Sequence, residues 1–269
     1  FDPAEIEEIF RELEFRSLMP RLTALEQRYG KAAPSSGQQL SMFGETPLMG
    51  VARPPAATGI ETVLVNSPAA LEDLVKTLSA AKVISFDTET TSTDQMRADL
   101  VGISLAVEPG RGYYIPVGHS RGEQLSLKTV IAAISGPLTD PKIPKVGHNI
   151  KYDYVMLARN GIEATPLIFD SMIAEWLINP NSRNLGLKNL AWVRQDIRMT
   201  HIEELIGKGK KQITMAEVPI EEAAAYAALD AEVVLRLMPE LQEELESCGG
   251  TQLMAEIEMP LVKVLADME

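Results

Sequence analysis

From residue 60 onward, short apolar runs alternate with stretches of helical period. ETVLV (61–65), KVISFD (82–87), LVGISLAV (100–107), GYYIPV (112–117) and KIPKVGH (142–148) read as strands. The turn Glu108-Pro109-Gly110 joins the third run to the fourth, and the polar TETTSTD after Asp87 reads as a turn. Helices are expected from Ser67-Pro68 to about 80, near 126–135, over 150–160, and at 186–193 and 201–206. A strand–helix pair falls at 165–178, and a long helix runs from Pro219 to about 246. Three strands in sequence followed by alternating helix and strand predict a mixed α/β sheet covered by helices.

The first 58 residues follow other patterns. Residues 1–29 read as helix: Asp2 suits the N-cap, Pro3 the first turn, and Ile6, Ile9, Phe10 and Leu13 form an apolar stripe. A short helix cannot bury such a stripe alone, so it needs a neighbour. Residues 31–58 hold four prolines, three glycines, three serines and only three charges. That composition is a linker, with a coil span of roughly 30 Å. A boundary near 59 follows.

Composition narrows the chemistry. With 45% hydrophobic and 23% charged residues in 269, the chain is globular rather than disordered. No run approaches the ~18 uncharged apolar residues of a membrane span. The acidic, helical N-terminus does not read as a secretory signal. Cys248 is the single cysteine, which fits a reducing cytosol. Three histidines and one cysteine make a His/Cys zinc site a poor expectation, so a metal would be held by carboxylates. The net charge of −13 argues against a polyanionic partner until its distribution is read. Residues 1–16 carry −4 and residues 217–269 carry −11, so 17–216 is +2 and free to face an anion.

Three patterns carry candidate chemistry. Asp87-Thr88-Glu89 ends a buried strand, where strand ends present functional groups, although a solvated turn would look the same. D-x-E recurs as Asp230/Glu232 and Asp267/Glu269, so the spacing alone decides nothing. Asn149 can cap the helix that follows, with Asp153 one turn on, which an ordinary cap and dipole-complementing acid would also give. Tyr226 and Asp230 share a helical face among alanines 223, 224, 225, 227, 228 and 231, so this helix can approach a neighbour closely. If the four acids converge, their mutual repulsion calls for hard divalent cations, and oxygen-only ligation suits magnesium or manganese. A pair of such ions serves attack of water on a phosphodiester.

FDTET, GHNIKYD and YAALD, in this order, resemble the three exonuclease motifs of the DEDD superfamily in its tyrosine-bearing branch. LVGISLAVEPGRGYYIPVGH, IFDSMIAEWLINP, IEELIGKGKKQIT and IEMPLVKVLADME resemble the proofreading region of the bacterial DNA polymerase I family. The resemblance implies a ribonuclease H-like mixed five-stranded sheet covered by helices, preceded by an N-terminal helical segment and linker. It divides the chain into the helical tail of a 5′ nuclease domain (1–30), a linker (31–58), a 3′-5′ exonuclease domain (59–248) and the start of a polymerase domain (249–269). It implies two divalent cations, Mg2+ or Mn2+, held by Asp87, Glu89, Asp153 and Asp230, with Tyr226 orienting the attacking water.

Thr93, His148, Asn149, Tyr152, Met172 and Arg183 fall where the family grips the last nucleotides of a single strand. Thr93 stands where the family often carries an apolar wedge. The implied partners are a single-stranded DNA 3′ end and the polymerase and 5′ nuclease domains of a longer chain. A monomer in the bacterial cytoplasm, associated with the nucleoid, is expected. Two other readings are a stand-alone RNA-processing exonuclease of the same superfamily, and a degenerate module that braces a polymerase; loss of a carboxylate would mark the latter. Lys208, Lys210 and Lys211, in a glycine-flanked loop, either meet phosphates or are simply solvated. His119 and His201 read as surface or structural, and Trp176 and Trp192 as core.

Overall fold

A computed structural model of the chain describes Ile6, Ile9, Phe10 and residues 59–269. The chain divides into two units, Phe1–Ala56 and Ala57–Glu269. In the first unit the three described residues are helical. The rest of the expected helical tail and the linker 31–58 lie outside the described residues.

The second unit is built on a sheet of six strands: β1 (Glu61–Leu64), β2 (Ile84–Thr90), β3 (Leu100–Glu108), β4 (Arg111–Pro116), β5 (Lys145–Gly147) and β6 (Leu167–Asp170). Their order is β1-β4-β3-β2-β5-β6. β2, β3 and β4 are antiparallel neighbours, while β1, β5 and β6 join in parallel. The sheet therefore exceeds the expected five strands by one. Its edges are β6 and β1, the latter pairing with β4 from Glu61↔Arg111 to Leu64↔Tyr114.

The helices are α1 (Pro68–Ser79), α2 (Leu127–Thr139), α3 (Ile150–Arg159), α4 (Ser171–Ile178), α5 (Leu187–Gln195), α6 (Ile202–Ile206) and α7 (Ile220–Ser247). A C-terminal run follows, with Thr251–Leu253, a π-helical stretch Met254–Glu258, and Met259–Met268. Ser67 caps α1 through its side chain and Pro68 opens it, as the sequence predicts. α2 continues past the expected stop near 135 because Pro137 is itself buried in the core beside Ile134 and Leu138. Apolar burial there outweighs the one backbone donor that proline lacks.

Two features position the site. First, β2 does not end at Asp87. The polar residues expected to turn instead extend the strand to Thr90, which pairs with Leu100 of β3. Threonine is β-branched and suits a strand even where its polarity suggests a loop. Second, the alanines of α7 let that helix lie directly on the sheet. A Cβ placed on Gly112 of β4 would stand 2.5 Å from the carbonyl oxygen of Ala228, so glycine and alanine together set the close approach. Trp192 is core, but Trp176 is 45% exposed and corrects the expectation of burial. On α4 the core takes Ala174 and Glu175, and the adjacent Trp176 turns outward.

Candidate active site

On a strand, residues two apart share a face, so Asp87 and Glu89 point the same way from β2. α7 brings Asp230 against them, and ligand oxygens of Asp87, Glu89 and Asp230 all lie within 4.8 Å of one another. Asp153 approaches from the first turn of α3. Its Oδ1 accepts hydrogen bonds from the Thr88 amide at 2.8 Å and the Thr88 hydroxyl at 2.5 Å. Asp153 thus stands beside the group of three, tied to the residue between its two strand members. Asp87 accepts a further hydrogen bond from Ser104 of β3 at 3.2 Å.

The start of α3 is held differently from expectation. Asn149 does not cap the helix through its side chain; it adopts a left-handed conformation at φ 52°. Asp170, twenty-one residues on, caps instead. Its carboxylate accepts from the amides of Asn149 (3.0 Å) and Ile150 (2.8 Å) and, for α4, from Met172 (2.8 Å). One buried acid therefore fixes two helix N-termini, and the helix that carries Asp153 with them.

Crowding four carboxylates away from water has the expected electrostatic result. Asp87 is pushed up to about 7, first by burial and then by the charge of Asp230, with Lys188 pulling the other way. Burial likewise raises Glu89, Asp153 and Asp230. Tyr226 is raised by burial and by the charges of Asp230, Glu89 and Asp87, so its phenol keeps its proton at neutral pH. His148 is lowered to about 3 by burial and the charge of Lys188, and is neutral.

Lys188 was not singled out by the sequence. Its ammonium is paired with Asp230 and lies 4.0 Å from the centre of the Tyr226 ring. The signal was there to find: Lys188, Ala191 and Trp192 share one face of α5, and the latter two are buried. A lone lysine on a buried helical stripe needs a partner.

The carboxylates open into a cleft of about 1040 Å³, whose walls include Thr93, Asn149, Tyr152, Gly209 and the run from Gln212 to Met215. Of the six residues expected to grip a strand, Thr93, Asn149 and Tyr152 face this cleft. The Tyr152 hydroxyl is 2.6 Å from both Thr90 Oγ1 and the Ser92 carbonyl oxygen. His148 is half-buried, with Nδ1 2.9 Å from Ser171 Oγ. Met172 is half-buried at the start of α4, and Arg183 is exposed on the loop before α5; neither is among the cleft's walls. Lys208 and Lys211 are exposed, and Gly209 between them reaches the cleft. His119 is structural, with its ring 2.7 Å from the Tyr114 hydroxyl and 3.0 Å from the Val218 carbonyl oxygen.

An open cleft thus ends in a group of carboxylates, with Glu89 and Asp230 buried and Asp87 half-buried, between the sheet and α7. Comparison with known proteins is specific. The family model described as 3′-5′ exonuclease matches residues 62–246, and the chain belongs to that family. It is 40% identical over 287 residues to the DNA polymerase I of Chloroflexus aurantiacus and 35% identical over 267 to that of Pseudomonas aeruginosa. These alignments cover 100% and 97% of this chain but only 30% and 27% of those proteins. The chain thus spans under a third of the length of these relatives.

Among solved structures, Escherichia coli RNase D, an exoribonuclease, matches with TM-score 0.60 at 19% identity, covering 77% of this chain and 51% of its own. Brucella melitensis NrnC with bound Mg2+ matches with TM-score 0.55 at 21% identity, covering 71% and 86%. These likenesses show the fold, and the hydrolase activity of the family is divalent-metal-dependent.

Proposed function

We propose that the chain is the 3′-5′ proofreading exonuclease module of a DNA polymerase I. In this reading it hydrolyses the 3′-terminal phosphodiester of single-stranded or frayed DNA and releases nucleoside monophosphates. The observation that carries it is the convergence of Asp87, Glu89 and Asp230 at the foot of an open cleft, with the phenol of Tyr226 one helical turn from Asp230. Residues 59–248 form the exonuclease domain, 1–30 the tail of a preceding 5′ nuclease domain, 31–58 a linker and 249–269 the opening of a polymerase domain. Those domains and a DNA 3′ end are its partners, in a monomer acting at the bacterial nucleoid.

The donor set fits two hard cations, Mg2+ or Mn2+. Three carboxylates with oxygens within 4.8 Å of one another, all with raised pKa, are short of positive charge. Asp87, Glu89 and Asp230 would hold the tighter ion, and Asp87 with Asp153 the second. Bound there, divalent cations supply Lewis acidity toward a phosphodiester and its attacking water. The remaining work belongs to the chain. Tyr226, protonated, orients the water by one hydrogen bond rather than acting as base. Thr88 fixes Asp153, and through it ties α3 to β2. Tyr152, Asn149 and Thr93 line the path of the strand. The carboxylates lie at the base of that path, so a paired end must melt before its last phosphodiester arrives, and opening a pair costs a few kcal/mol.

The test is digestion of 5′-labelled single strands and of duplexes with matched or mismatched 3′ ends, in Mg2+ and in EDTA. The expected products are 5′-labelled strands shortened one nucleotide at a time, faster from the mismatch and absent in EDTA. Labelled mononucleotides as first products, or equal rates on matched and mismatched ends, would contradict the reading. An RNA strand preferred over DNA of the same sequence would favour the RNA-processing alternative.

A further inference from the structure

Lys188 is the second residue of α5, half-buried, with its side chain 15% exposed. Its ammonium meets an oxygen of Asp230, whose side chain is 10% exposed, and faces the Tyr226 ring at 4.0 Å. Its charge is felt beyond this pair: it opposes the rise in pKa at Asp87, Glu89 and Asp230 alike. Among the described residues, it is the cation that reaches all three members of the carboxylate group. The oxygen it occupies belongs to a carboxylate that a divalent ion would also need.

We propose that Lys188 is an internal counter-cation, neutralising the carboxylate group in the metal-free protein and competing with the divalent ion for Asp230. This rests on the reading of Asp87, Glu89 and Asp230 as metal ligands. The reasoning is electrostatic. Buried acids with no counter-charge repel one another and oppose folding. An ammonium supplies part of the missing charge from within the chain, so the cleft keeps its shape before a metal arrives. The same ammonium is a like charge to the incoming ion, at short range and low dielectric, and must leave Asp230 for the ion to bind. Lys188 has a flexible stem of four methylenes, so it can withdraw while α5 stays in place.

The proposal predicts opposite signs for two measurements. Lys188→Met keeps the stem and removes the charge. It should lower the melting temperature in EDTA, and it should tighten Mn2+ binding by about tenfold in calorimetric titration. Lys188→Arg, which keeps the charge, should stay near the wild type in EDTA. A lysine that merely braces the site would lower both stability and affinity on removal. In EDTA, Asp230→Asn should abolish most of the penalty of Lys188→Met, because the pair is already broken.

Lys188→Met binding Mn2+ no more tightly than the wild type would overturn the competition, and so would EDTA penalties that simply add. If Lys188→Met is too unstable to titrate, Lys188→Gln carries the same two readouts. A wild-type protein that takes up no Mn2+ removes the metal-site reading itself, and the competition with it. A wild type that binds Mn2+ while both lysine variants bind it unchanged removes the competition alone.

Discussion

Asp87/Glu89 and Asp230/Glu232 have the same spacing and part of the same neighbourhood, yet they do different work. On β2 the two acids project from one face of the sheet and both reach the carboxylate group. On α7 two residues apart means about 200° around the helix, so only Asp230 can face the cleft. Glu232 is fully buried on another side, where it accepts hydrogen bonds from the Gly110 amide at 2.6 Å and from Arg236 at 2.5 Å. It fastens the β3–β4 turn to α7 and leaves the site to Asp230. The secondary structure that carries an acidic pair decides whether it makes one site or two separate contacts.

The sharpest way to break this comparison is to remove one acid of the helical pair at a time. Asp230→Asn should lower exonuclease turnover on the order of 10³-fold or more, the loss of several kcal/mol of charge stabilisation at the reacting phosphate. Glu232→Ala should leave turnover within about threefold at a temperature where the variant is folded, because it touches no part of the cleft. Comparable losses of turnover in the two would erase the distinction.

Tyr226→Phe tests the partner that Asp230 has on its own helical face. Deleting one hydrogen bond to a reacting group should cost about 1.5–3 kcal/mol, or roughly ten- to hundredfold in kcat. Mn2+ affinity should hardly change, since the ring and the four acids remain. Full turnover in saturating Mg2+, or a loss equal to that of Asp230→Asn, would refute the positioning role.

Glu232→Ala has its own effect, on stability. It leaves the partly buried Gly110 amide and Arg236 without their carboxylate, costing about 2–3 kcal/mol and roughly 4–10 °C in Tm. Thermal unfolding followed by circular dichroism measures it. A Tm unchanged within error would mean that Glu232 does not hold the turn.

The smallest expected effect is a pH dependence on the strand pair. Asp87 holds its proton more tightly folded, to about 7, than its ordinary 3.8. Without metal, stability linked to Asp87 is complete below about pH 4 and is lost as pH rises through 7. In EDTA, Asp87→Asn should therefore gain on the wild type between pH 5 and pH 8, by about 4 °C or more in Tm. Mg2+ should close the gap, because it stabilises the ionised form. A difference that stays flat from pH 5 to pH 8 in EDTA would show that Asp87 does not titrate there.

Most elements and the residues of the carboxylate group were legible in the chain. Apolar alternation marks β3 and β4, Ser67-Pro68 marks the start of α1, and the alanines around Tyr226 announce a helix lying close to its neighbour. The motifs FDTET, GHNIKYD and YAALD by themselves select Asp87, Glu89, Asp153, Tyr226 and Asp230. What local pattern could not supply was the partner of each group. Thr88 to Thr90 read as a turn because polarity is a local property, whereas their strand is completed by β3 residues ten or more positions away. Asn149 looked like a cap, but the capping oxygens come from Asp170 at the end of the neighbouring strand β6. Lys188 showed only as a charge on an apolar stripe, and its pairing with Asp230 spans forty-two positions. Sequence period marks most elements and the apolar face each one turns inward, because it follows from backbone geometry, although Trp176 and the Thr88–Glu89 pair escape it. Which buried charge meets which is decided by tertiary packing, because electrostatic partners are chosen by distance in space rather than along the chain.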